Sequence, residues 1–101
     1  MSKPKATATP EQIEEWKKKH GSIFELTVED RSCILRKPTI KELSAAAAVG
    51  AKDPFKYNRV ILNSCWLAGD EEIKTNDDYF LAAGGQLLEI IEVKESEIKK
   101  L

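Results

Sequence analysis

Ile23-Phe24-Glu25-Leu26-Thr27-Val28-Glu29-Asp30-Arg31-Ser32-Cys33-Ile34-Leu35-Arg36 is the stretch whose reading decides the fold. Phe24, Leu26 and Val28 fall on one face of an extended chain and Glu25 and Thr27 on the other, the period-two pattern of a half-buried strand. Ser32 to Arg36 repeats the behaviour. Glu29-Asp30-Arg31 between them is a short polar link, so the two runs pair as an antiparallel hairpin. A lone hairpin is marginal in water and needs helices against its apolar face.

Helices are predicted on both sides. Upstream, Thr9 as cap, Pro10 at the first helical position and Gln12 three residues after the cap open a helix that Gly21 stops. Only Ile13 and Trp16 are strongly apolar in it, so one large anchor holds it. Residues 1–8 read as a flexible leader. Downstream, Pro38 ends the second strand, and Thr39 with Glu42 forms a second capping box for a helix reaching about Val49, with Gly50 as its stop. Ala45 to Ala48 give that helix small side chains that admit a close neighbour. Asp53-Pro54 starts a third helix, and apolar residues from Phe55 to Ala68 lie nearly all round it, as in a buried central element. Gly69 to Glu72 reads as a turn, and Thr75 or Asn76 caps a fourth helix with Asp77 and Asp78 in its first turn. Gly84-Gly85 interrupts it, and a last helical stretch runs from Gln86 toward Leu101.

The expectation is therefore an α+β fold, with an N-terminal helix and an antiparallel β-hairpin packed on a bundle of three to four α-helices. Residues 9–101 form one domain, with 86–101 either completing the core or serving as a helical arm. Phe24, Leu26, Leu43, Ile61, Cys65 and Leu88 are the expected interior.

At 101 residues the chain has the length of one domain, and 42% apolar with 33% charged residues is the balance of a globular protein. No window approaches the ~20 consecutive apolar residues of a membrane span. The amino end lacks the apolar stretch of a secretory signal, which makes the cytoplasm the expected compartment. A formal net charge of −1, slightly basic in the first half and slightly acidic in the second, argues against nucleic acid as a partner. Lys17-Lys18-Lys19 reads as the wet face of a helix.

The residue types that carry chemistry are sparse. His20 is the only histidine, placed where an imidazole near the last carbonyls of a helix has a structural reason to be. Cys33 and Cys65 lack the close spacing of zinc or redox motifs and read as buried thiols. Asp70-Glu71-Glu72 and Asp77-Asp78 lack the alternation of a calcium loop, and Gly84-Gly85 belongs to no phosphate loop. No enzymatic activity, metal or cofactor is expected. What remains is apolar surface for a protein partner. Trp16 stands on an otherwise charged helix, whereas Trp66 reads as core. Leu87, Ile91, Lys94, Ile98 and Leu101 recur at alternating spacings of four and three, a narrow coiled-coil-like stripe flanked by Glu95 and Lys99. Trp16, Leu87, Ile91, Ile98 and Leu101 are thus the candidate partner-binding residues. With the double glycine as a kink or a hinge, self-association is a second expectation.

The order of motifs resembles that of the small tail assembly chaperones of long-tailed bacteriophages and prophages. The resemblance covers roughly Trp16 to Ile91. It rests on Ile34-Leu35-Arg36-Lys37-Pro38-Thr39, the Ala-rich helix, Val60-Ile61-Leu62 with Leu67-Ala68-Gly69-Asp70, and Asp77-Asp78 before Tyr79-Phe80-Leu81. It implies a non-enzymatic protein that coats the tape measure protein in the bacterial host cytoplasm while a tail is built. Two other classes fit the same residues: a structural tail or connector component that stays in the particle, and a host regulatory or antitoxin-like binding protein.

Overall fold

A computed structural model describes residues 8–91 and 96–101. The fold is α+β. Helix α1 (Pro10–His20) leads into strands β1 (Ile23–Val28) and β2 (Arg31–Arg36), followed by α2 (Ile40–Val49), α3 (Pro54–Cys65) and β3 (Trp66–Gly69). A single turn α4 (Glu72–Thr75), helix α5 (Asp77–Gly84) and a 3₁₀ helix (Leu87–Ile90) complete it. Among the described residues no helix is long and apolar enough to cross a membrane.

Local signals explain most boundaries. Both capping boxes form: Thr9 and Gln12 exchange hydrogen bonds at the start of α1, and Thr39 and Glu42 do so at the start of α2. Asp53 caps α3, and the Asn76 side chain accepts from the Asp78 and Tyr79 N–H groups to open α5. The hairpin closes on Glu29-Asp30 alone, with Glu29 at φ 55° and Arg31 already paired to Val28.

Three expectations need correction. The apolar run from Phe55 to Ala68 is not one helix: α3 ends at Cys65, and Trp66–Gly69 is a third strand antiparallel to β2. The sheet order is β1-β2-β3, which makes β2 central. Ser32 to Leu35 are buried without the alternation expected of a half-buried strand, so both faces of β2 are covered. Gly69 sits at φ 146°, and a Cβ there would lie 2.4 Å from the Cys33 Cα, so only glycine lets the two strands approach.

The stretch from Gln86 to Leu101 is not a continuous helix. Its described part holds only the 3₁₀ turn Leu87–Ile90, and residues 96–101 carry no regular structure. Lys94 and Glu95 of the expected stripe lie outside the described residues, as do residues 1–7 of the leader. A single narrow stripe with β-branched Ile90 and Ile91 offers too little burial to offset helix nucleation. A 3₁₀ turn brings residues three apart into line, and Leu87 and Ile90 are both buried. Leu88, the third correction, is 73% exposed and takes no part in the core.

The core lies between one face of the sheet and the helices. Leu26, Val28, Cys33 and Leu35 pack with Ala46, Ile61, Leu62, Cys65, Ile73, Phe80, Ala83, Leu87 and Ile90, and half-buried Phe24, Leu43 and Trp66 pad it. Helix α1 buries no residue fully and lies against β1.

Two ion clusters tie the pieces together. Arg36 at the end of β2 makes a two-pronged contact to Glu42, Nη1 to Oε1 at 2.8 Å and Nη2 to Oε2 at 2.6 Å, and Nη2 also donates to the Ser64 carbonyl at the end of α3. Arg31 reaches Asp70 at 2.9 Å and Glu72 at 3.2 Å, joining the hairpin turn to the β3–α4 corner.

Candidate functional site

The end of α2, the first turns of α3 and the middle of α5 enclose an apolar cleft of about 260 Å³ lined by Val49, Phe55, Lys56, Arg59, Val60 and Phe80. Gly50 brings α2 close to α3, since a Cβ there would meet the Tyr57 backbone nitrogen at 2.7 Å. Asp53 Oδ1 accepts from the Phe55 and Lys56 N–H groups, which places both residues at the mouth. Phe55 lies seven residues before Leu62 and so on the same side of α3. Leu62 is fully buried, whereas Phe55 overhangs the core and is 54% exposed, beside Val49 at 56%.

The rim is cationic. The Arg59 guanidinium lies 3.9 Å from the Phe80 ring centroid and donates from Nη1 to the Lys74 carbonyl. Lys56 is exposed next to it, and no carboxylate lines the cleft. Ala45, Ala47, Ala48 and Ala51 are exposed on α2 and its turn, Ala45 one turn before Val49, and Leu81 is exposed on α5. Such a surface offers apolar contact and cations to carboxylates, and holds no nucleophile and base in reach of one another.

The chemistry-bearing residues lie elsewhere. His20 ends α1, and partial burial, then Arg36 and Lys19, lower its pKa, which favours the neutral imidazole. Cys33 and Cys65 are free buried thiols, pushed by burial up to about 12 and about 11. Among the described residues no three His, Cys, Asp or Glu side chains gather in a metal-binding group.

The partner-binding residues proposed from sequence are not brought together. Trp16 is half-buried on α1, Leu87 is buried in the core and Ile91 is half-buried just beyond the 3₁₀ turn. Ile98 and Leu101 are fully exposed. Trp66 is half-buried on β3, with the Lys74 ammonium 4.2 Å from its ring. Val49, Phe55 and Phe80 are not among the sequence-derived candidates, and the all-round apolar pattern from Phe55 to Ala68 is what assigns Phe55 to a buried helix. A residue in the first turn, immediately after the Asp53-Pro54 start, is the signal that it lies at the end of the core.

Comparison of the chain with protein-family models, with characterised proteins and with solved structures gives no match.

Proposed function

We propose that this chain is a non-enzymatic protein-binding module that seats an apolar helix of its partner across the cleft between α2, α3 and α5. The observation that carries the reading is the pair Val49 and Phe55, two large side chains each more than half exposed at one concave, carboxylate-free site. An amphipathic helix laid there covers Phe55 and Val49 with its apolar face, and its flanking carboxylates meet Lys56 and Arg59. The alanines of α2 let its backbone approach closely.

The resemblance in motif order supplies the candidate partner. In this reading the chain is a phage or prophage tail assembly chaperone, acting in the bacterial host cytoplasm to shield the apolar helices of a tape measure protein. Co-expression with the tape measure protein of the same genome is the test. The chain should raise that protein's soluble fraction, and Phe55→Asp should abolish the gain without unfolding the chain. No gain with the unaltered chain would refute the tape measure assignment. A gain that survives Phe55→Asp would refute the cleft.

A further inference from the structure

β1 is an edge of the sheet, and its outer side is unpaired. Val28 and Arg31 flank a two-residue turn and so exchange both hydrogen bonds of their pair. The alternation of the ladder, which runs without a register shift to Ile23, then leaves the N–H and C=O groups of Thr27, Glu25 and Ile23 pointing away from β2. Among the described residues no backbone bond from outside the hairpin engages them. A groove of about 400 Å³ follows this edge, lined on one side by residues 24–29 and on the other by Ala82, Gln86, Glu89 and Ile90. An open ladder beside a wall that can take alternate side chains is what strand addition uses.

The charges of the groove are Glu25, Glu29 and Glu89, with no lysine or arginine among its lining residues. Two-fold pairing of this edge with a second β1 would gather those carboxylates, and like charges across a ladder are destabilising. The groove therefore selects an extended segment that is apolar and basic. Ser96-Glu97-Ile98-Lys99-Lys100-Leu101 has that composition, lacks regular structure and is exposed throughout, with Ile98 and Leu101 making essentially no contact.

We infer that residues 96–101 add to β1 as a fourth, antiparallel strand of the same chain. One register sets Leu101 opposite Ile23, Lys99 opposite Glu25 and Glu97 opposite Thr27 on the outer face. On the groove face Ile98 then meets the apolar wall of Ala82 and Ile90, and Lys100 comes within reach of Glu89. The segment follows closely on Ile90, itself part of the groove, so the tether is short and the local concentration of the strand is high. The added strand covers the β1 edge, a template for aggregation, and puts a short strand bearing Lys99 and Lys100 at the rim in its place.

Backbone amide exchange of the full chain, followed by NMR, tests this. The Glu25 and Thr27 amides, which β2 does not engage, should exchange at least about 100-fold slower than in an unstructured peptide. Ile98→Asp or Lys99→Glu should remove that protection and leave the Leu26 amide, bonded within the hairpin, unchanged. Pairing Lys99→Glu with Glu25→Lys should restore it. Light scattering should show a monomer throughout. Unprotected Glu25 and Thr27 amides in the unaltered chain, or protection that survives Ile98→Asp, would overturn the inference. A dimer that dissociates on Ile98→Asp would overturn the assignment to the same chain.

Discussion

Replacing Glu42 by Gln should destabilise the fold by about 1–3 kcal/mol at pH 7. Glu42 has two partners: it completes the capping box by accepting from the Thr39 N–H at 2.9 Å, and it receives both prongs of Arg36. Gln preserves the first role and removes the ion pair, leaving Arg36 with the carbonyls of Ser64 and Lys37. The magnitude follows from exposure. At 18% and 24% exposed, the two side chains lie between a buried pair, where losing one partner costs about 3–5 kcal/mol, and a surface pair worth ~0.2–1 kcal/mol. The pH dependence has a definite sign, because Arg36 first, with the Thr39 N–H, holds the Glu42 carboxyl at about 2 in the fold. In the unfolded chain it titrates near ~4.3. Its contribution is therefore complete above about pH 5 and is lost as the pH falls through 4 toward 2. The full shift corresponds to ~3 kcal/mol, which solvent screening at this exposure reduces to about 1–2 kcal/mol. Urea denaturation of both proteins at pH 7 and pH 3 is the assay, with the gap between them shrinking to roughly half at the lower pH. A variant as stable as the parent at pH 7, or a gap unchanged at pH 3, would refute the role given to this pair.

Ile61→Ala should cost about 2–5 kcal/mol in the same assay, because Ile61 is buried at the centre of the core. Gly69→Ala should cost more than Gly21→Ala. Both have positive φ, worth about 1–3 kcal/mol of strain, but a Cβ at Gly21 meets open space and one at Gly69 meets the Cys33 backbone. Equal costs would show that β3 does not pair as described. Cys33 and Cys65 should react with a thiol reagent only as fast as the protein unfolds, since both are buried and held protonated. Rapid labelling of the native chain would place at least one of them at the surface.

Much of the fold is legible in the sequence where the signal is local. The capping boxes at Thr9 and Thr39, the Asp53-Pro54 start, the Asn76 cap and the alternation from Phe24 to Val28 each depend on neighbours a few residues away, and each sits where that chemistry puts it. β3 depends on partners far along the chain, Cys33 pairing with Gly69 and Leu35 with Trp66. The period-two reading of Ser32 to Arg36 gives no hint of it, and Ser32 to Leu35 are instead buried without alternation, with both faces of β2 covered. The segment after Gly85 misled for the opposite reason. Its stripe of Leu87, Ile91, Ile98 and Leu101 satisfies a helical period, but the core has room only for Leu87 and Ile90. The cleft is only weakly legible: the place of Phe55 directly after Asp53-Pro54 marks it as the helix start, but how far α3 extends past its neighbours, which sets its exposure, is reported by no residue type.

The most direct test of the binding-module reading is a map of where a partner helix lands. Isotope-labelled chain titrated with an apolar helical segment of the tape measure protein should show saturable chemical-shift changes centred on Val49, Phe55, Val60 and Phe80. Binding whose shifts fall elsewhere would contradict the cleft, and no binding at all would contradict the tape measure assignment.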